Sequence, residues 1–347
     1  MSSNKGTIVL TGANGGLGCG LVSKINSTPE LAGYYKLYLV RDTSTATSLK
    51  SIVSKSPTSR PYDIISLDLS SLTNIRQVAK AINTRITANE IPPIRGLILN
   101  AGYNDLGHES LTEDGFDTAF VVNYLGQWLL TMLLLQSVDR MNGRIVVVSS
   151  DSYDVNAPIH KLDGYYADEK WKTFFHDDNI DTIARGTWSS DKDDMPRKAG
   201  VRRYGASKMC FAMIVGELQN RLDVDPALNA ISISAINPGA MGGTGLVRHG
   251  NWFTRTILFP VIFRHLGPLL TWYSPNGTVR TISKSSNDVL NAALQTDPKL
   301  RGSYLNGSEL QPMVPEAMDA RKRSMVWRDS VKYTKLSKEE TALVKLS

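Results

Sequence analysis

Cysteine is nearly absent: Cys19 and Cys210 are the only two in 347 residues. Two thiols cannot build a disulfide framework, so a packed core must hold the fold. Both read as free thiols in a reducing, cytoplasmic setting. Histidine is scarce too. His108, His160, His176, His249 and His265 never fall at ligand spacing, so no metal is expected. No apolar run reaches the 18 residues that would span a bilayer, and no signal-like segment precedes the first apolar strand. Dense charge is also lacking. The net charge of +6 is scattered, and its tightest cluster, Arg321-Lys322-Arg323, falls in an apparent helix. That pattern reads as a solvated face and argues against a nucleic-acid partner. With no repeat and no linker, residues 1–347 read as one domain with ample length for a core.

What the chain does have is alternation. Short apolar strands are expected at 7–10, 36–40, 62–67, 96–99, 144–148, 230–235 and 303–306, with helices between them. Strand and helix in turn predict an α/β fold: a Rossmann-type, doubly wound parallel sheet of about seven strands. The run 144–148 is apolar without alternation, as in a strand buried on both faces. Helices are expected at about 114–137, 204–222, 276–295 and 315–334.

Between the first strand and its helix lies Thr11-Gly12-Ala13-Asn14-Gly15-Gly16-Leu17-Gly18. Here Gly12 would permit the tight turn and Gly16 the approach of a pyrophosphate. Gly18 would permit close packing of helix on strand, and the helix N-terminus offers N–H groups to phosphate. The second strand ends at Val40, followed by Arg41-Asp42. The arginine suits a 2′-phosphate, hence NADP(H), whereas Asp42 could reach a ribose hydroxyl and take NAD(H). Asp68, after the third strand, could meet an adenine amino group or cap the next helix. The small residues Asn100-Ala101-Gly102 end the fourth strand and would let a cofactor approach. In Tyr204-Gly205-Ala206-Ser207-Lys208, the tyrosine and lysine share one helix face. There an ammonium would draw the phenol pKa down toward useful acid/base work. Asn123 is a lone amide in an apolar helix.

Two stretches fit less simply. Between Ser150 and Tyr204 lie 53 residues rich in charge and aromatics, including Tyr165, Tyr166, Trp171, Phe174, Phe175 and Trp188. The segment 151–203 reads as a packed flap or lid, with a short helix at 168–175 and disorder near 189–198. The segment 240–275 is apolar at 252–273 but broken by Arg255, Pro260, Arg264, His265 and Pro268. It reads as a buried or substrate-facing helix pair, with peripheral membrane contact left open.

Taken together, these motifs resemble the short-chain dehydrogenase/reductase family over residues 5–310, and most closely its retinol dehydrogenase-like branch. The resemblance implies that Tyr204 is the acid/base and that Lys208 tunes it and holds the nicotinamide ribose. Ser150 would polarise the substrate oxygen, and Asn123 would hold a relay water. It also implies cofactor contacts at Gly12, Asn14, Gly16, Leu17, Gly18, Arg41, Asp68, Leu69, Asn100, Ala101, Gly102, Tyr204, Lys208, Pro238, Gly239 and Thr244. The expected activity is NADP(H)-dependent interconversion of carbonyl and alcohol on a hydrophobic small molecule of polyketide, isoprenoid, sterol or retinoid-like character. The alternatives are reduction of a carbon–carbon or carbon–nitrogen double bond, or a non-redox scaffold or cyclase. A homodimer through the helices of Asn123 and Tyr204 would follow by analogy.

Overall fold

The computed structural model describes residues 5–55, 61–157, 160, 164–192, 194–242 and 264–346. Strands β1 (Thr7–Thr11), β2 (Tyr35–Val40), β3 (Tyr62–Ser66), β4 (Ile94–Leu99), β5 (Arg144–Val148), β6 (Ser232–Asn237), β7 (Tyr304–Asn306) and β8 (Glu309–Gln311) form one sheet. Their order is β3-β2-β1-β4-β5-β6-β7-β8, parallel up to β7, with β8 antiparallel at the edge. The expected architecture is therefore present, with eight strands in place of about seven. The eighth has three exposed residues after Gly307, too short and too polar to show a strand pattern.

Side chains alternate across the sheet, as the pleat requires. Val9, Leu37, Leu39, Leu97, Leu99, Ile145 and Val147 enter one core, whereas Ile8, Leu10, Tyr38, Val40, Ile98, Val146 and Val148 enter the other. Helices α1 (Gly16–Ser27) and α2 (Thr47–Ser54) lie on the second face; α2 is a short helix absent from the sequence expectation. On the first face lie α3 (Leu72–Thr87), α4 (Thr118–Ser137) and α5 (Pro196–Asp223). Three further helices are α6 (Arg264–Tyr273), α7 (Ile282–Leu294), which packs on α1, and α8 (Ala320–Thr334). The 315–334 helix divides at Asp319, whose carboxylate caps α8 by accepting from Lys322 N at 3.0 Å.

The 151–203 insertion is packed rather than lid-like. Tyr165, Tyr166, Trp171, Phe174 and Phe175 are buried in the first core. Trp171 meets Trp188 edge to face at 5.1 Å. The helix expected at 168–175 is only a 3-10 turn, Glu169–Trp171. The described residues in the stretch expected to be disordered are ordered: Ser189 is fully buried and α5 begins at Pro196. Two adjacent arginines of α5 explain this. Arg202 donates to Ser189 Oγ (2.8 Å), the Tyr165 carbonyl (2.9 Å) and Asp194 (2.9 Å), with its guanidinium 4.3 Å from the Trp171 ring. Arg203 pairs with Asp105 (2.9 Å) and Asp191 (2.8 Å) and donates to the Ser189 carbonyl (2.8 Å).

The C-terminal helix closes the same side. Trp327 of α8 packs edge to face on Trp128 of α4 at 5.5 Å, and Ser330 Oγ lies 2.5 Å from the Tyr124 hydroxyl. Helix α4 is apolar enough to cross a membrane by composition, yet it is a core helix inside the protein. No residue of α5 from Val201 to Gln219 is exposed. The helix faces that the dimer analogy would use are thus covered by the chain's own insertion and α8.

Candidate active site

The carboxyl ends of β1 and β4 adjoin at the point where strand order reverses, the usual ligand crevice of such sheets. The turn after β1 is as tight as its glycines suggest. Gly12 has φ +65°, and a Cβ there would come within 2.8 Å of Ala101 Cα. A Cβ on Gly18 would come within 2.2 Å of the Gly12 carbonyl oxygen. Gly15 opens α1 with no side-chain cap, and the first turn, holding Gly16 and Leu17, has no acidic residue. The uncapped N–H groups there suit a phosphate, so the cradle fits a dinucleotide. The Asn14 side chain accepts from Leu49 N at 2.9 Å and ties the turn to α2.

Asn100 and Ala101 both donate backbone N–H groups to Thr11 Oγ1, at 2.9 and 3.0 Å, and Gly102 follows directly. Asn100 Nδ2 donates to the Thr11 carbonyl at 2.9 Å. Gln127, fully buried, completes the clamp: it accepts from Thr11 Oγ1 (3.1 Å) and donates to the Ala101 carbonyl (3.0 Å). Sequence reasoning missed it, although a second amide one turn beyond Asn123 in an apolar helix was its signal.

At the end of β2, the Asp42 carboxylate accepts from Ser44 N (2.8 Å) and Ser44 Oγ (2.7 Å), which hold its pKa below the usual value. Arg41 is exposed, and its side chain makes no hydrogen bond among the described residues. Asp68 accepts from Ser70 N and Oγ (2.9 and 2.6 Å), while Ser71 caps α3 by accepting from Asn74 N. The capping option for Asp68 is therefore not used. The Leu69 carbonyl would be 2.4 Å from a Cβ on Gly126, so glycine lets α4 close on this loop.

Ser150 follows β5, and Tyr204 and Lys208 lie on α5. The Ser150 side chain lies beside the Tyr204 hydroxyl and favours its charged form. Ser150 Oγ also donates to Ser152 Oγ at 3.0 Å, and the Tyr304 hydroxyl donates to the Ser150 carbonyl at 3.0 Å. Tyr304, another residue the sequence reading missed, thus fixes the serine from β7. Lys208 Nζ donates to the Val148 carbonyl at 2.9 Å and lies 5.6 Å from the Tyr204 ring centre. Burial pushes the phenol of Tyr204 well up, and the Ser150 side chain beside it only partly offsets this. Burial also brings the Lys208 ammonium down to about 8. The expected lowering of the phenol by Lys208 is therefore not seen: desolvation sets the direction of the shift, and Asp151 adds to it. Asn123 lies in a π turn of α4, Val121–Leu125, a distortion common at functional sites. Its side chain bonds Tyr103 N and O (2.7 and 2.8 Å) and donates to Ser207 Oγ (3.1 Å), joining the Asn-Ala-Gly loop to α5.

Gly239 has φ +75°, and a Cβ there would come within 3.1 Å of Arg280. The buried Arg280 guanidinium donates to the Asn237 (2.8 Å), Asn276 (2.7 Å) and Gly277 (2.8 Å) carbonyls. Ser285 Oγ donates to the Pro238 carbonyl at 2.7 Å. Arg280 had no sequence signal. Thr244 and most of the apolar segment at 252–273 lie outside the described residues. A separate groove of about 940 Å³, lined in part by Arg221, Trp327 and Leu346, contains none of the site residues.

A redox nucleotide site is the class that this fold and cradle define, and sequence comparison agrees. The family profile for short chain dehydrogenases matches residues 6–162, ending inside the insertion. The chain is 40% identical to the short-chain dehydrogenase iccH of Talaromyces variabilis, over 98% of this chain and 99% of that one. It is 26% identical to human retinol dehydrogenase 13, over 94% and 83% of the two chains. Among solved structures, an NADPH-bound carbonyl reductase from chicken fatty liver has the same fold, with TM-score 0.56, 16% identity, and 88% and 98% of the chains covered. The chain belongs to the short-chain dehydrogenase/reductase family and is an oxidoreductase.

Proposed function

We propose that the protein is an NADP(H)-dependent oxidoreductase that interconverts a carbonyl and an alcohol on a hydrophobic small molecule. The observation that carries this is the meeting of Ser150, Tyr204 and Lys208 at the carboxyl end of β5. The nicotinamide, when bound, supplies or takes the hydride. Protons are left to the chain. The Tyr204 hydroxyl, kept protonated by burial, donates to the carbonyl oxygen in reduction. Ser150 Oγ holds the same oxygen. The Lys208 ammonium would steady the phenolate left behind. Asn123 fixes the floor behind Lys208, where a relay water would enter. At the nucleotide end, Arg41 would meet a 2′-phosphate, since the Asp42 carboxylate is already engaged by Ser44. Gly12, Gly16, Leu17 and Gly18 would hold the pyrophosphate, with Asn14, Asp68, Leu69 and residues 100–102 around the adenosine and ribose. Pro238 and Gly239 would meet the carboxamide.

The test is NADPH-dependent reduction across a panel of lipophilic ketones and aldehydes. Tyr204→Phe is expected to cut kcat by roughly 10²–10⁴-fold while NADPH affinity holds. Turnover undiminished in that variant would remove the tyrosine from the chemistry.

A further inference from the structure

Helix α6 is inside out. Leu266, Leu269, Leu270, Trp272 and Tyr273 are 48%, 61%, 40%, 79% and 83% exposed. The residues at 266, 269, 270 and 273 follow helical spacing and make one outward apolar stripe. The inward face is small and polar: Gly267 is buried, and Thr271 Oγ1 accepts from Thr281 N at 3.0 Å. A ten-residue helix of a soluble domain normally buries such a stripe. Here nothing among the described residues covers it.

The charge around α6 points to what does. From Pro226 to Asn287 the sequence has no aspartate or glutamate, while the chain as a whole carries +6. No carboxylate in that stretch repels an anionic headgroup. The stripe is leucine-rich and ends in tryptophan and tyrosine, the residues favoured at the water–lipid boundary. A second protein copy fits less well. Ten helical residues span about 15 Å and present a face about 10 Å wide, roughly 150 Å², well short of the ~800 Å² per partner that a stable pairing buries.

We infer that the outward face of α6 docks on an anionic lipid surface. The position of α6 gives the contact a purpose. The chain leads from α6 through Asn276 to Arg280, which holds the Asn237 carbonyl, and Ala240 bridges to Val279. A docked α6 therefore sets the Pro238–Gly239 end of the site at the lipid boundary, where a lipophilic substrate partitions. That purpose rests on the proposed function; the docking itself does not.

Co-sedimentation tests it, using vesicles of phosphatidylcholine alone and vesicles with phosphatidylserine added. The wild-type chain is expected to pellet with the anionic vesicles and far less with the neutral ones. Leu269→Ser/Trp272→Ser should reduce partitioning ~10-fold or more. Both residues are exposed, so the thermal midpoint and NADPH binding should not change. Leu266→Ser serves as a second, independent variant should the double variant fold poorly. Wild-type protein left in the supernatant with both vesicles overturns the inference. So do variants that pellet like wild type, or a lipid-free dimer that the same substitutions abolish. NADPH titration of the same samples separates the two readings, since loss of cofactor binding would count against the redox site alone.

Discussion

At the scale of single residues, desolvation decides more than pairing. Tyr204 and Lys208 could be picked out from their spacing, but the direction of the phenol shift could not, because it depends on how deeply the folded chain buries the ring. One consequence concerns pH. As the Lys208 ammonium titrates near 8, reductive kcat/KM should fall as pH rises through about 8. A reduction profile flat from pH 7 to 9.5 would contradict that role. Asp117 shows the same rule away from the site. Its Oδ1 caps α4 by accepting from Phe120 N at 2.8 Å, and Arg203 Nε lies 3.7 Å from Oδ2. Burial, with Asp105 and Glu109 adding to it, still pushes the carboxyl up to about 7. The folded chain thus keeps a proton that the unfolded chain, with a pKa near ~4, has lost. Its stabilising contribution is complete below about pH 4 and is lost as pH rises to about 7. Asp117→Asn has no such loss. Its urea midpoint should gain on wild type between pH 4.5 and pH 8, and an equal difference at both would refute the assignment.

At the scale of elements, the strands and the glycine turn could be read because their signals are local. Strand β5 was placed to the residue from one apolar run, and the turn after β1 from its glycines. The insertion could not be read, because its order comes from distant partners. Arg202 and Arg203 hold its middle, and Glu316 accepts from Phe174 N and Phe175 N at 3.2 and 3.1 Å. Its aromatics are spent on this packing. Gly205 shows how closely the insertion presses on the helix that carries Tyr204: a Cβ there would come within 2.4 Å of the Tyr166 hydroxyl. Arg202→Ala should cost about 3 kcal/mol, since it leaves buried partners unsatisfied. It should also open new sites to limited proteolysis between residues 165 and 194. An unchanged digestion pattern would show that the arginine does not hold the insertion.

At the scale of the whole molecule, the doubly wound sheet was evident from the order of strands and helices. The outer layer was not, because it depends on α8 and the insertion returning over α4 and α5. That layer covers the faces of α4 and α5 that the dimer analogy would use. The protein should therefore behave as a 38.2 kDa monomer in lipid-free solution. Light scattering at twice that mass would show that another face pairs. At the crevice between β1 and β4, Arg41 is the proposed contact for the 2′-phosphate of NADP(H). Fluorescence titration with NADPH and NADH tests it most directly, on wild type and on Arg41→Ala. NADPH should bind wild type at least ~10-fold more tightly than NADH, and the substitution should weaken NADPH alone, in keeping with a charge-assisted phosphate contact. Equal affinity for the two cofactors, or equal loss of both in Arg41→Ala, would contradict the account.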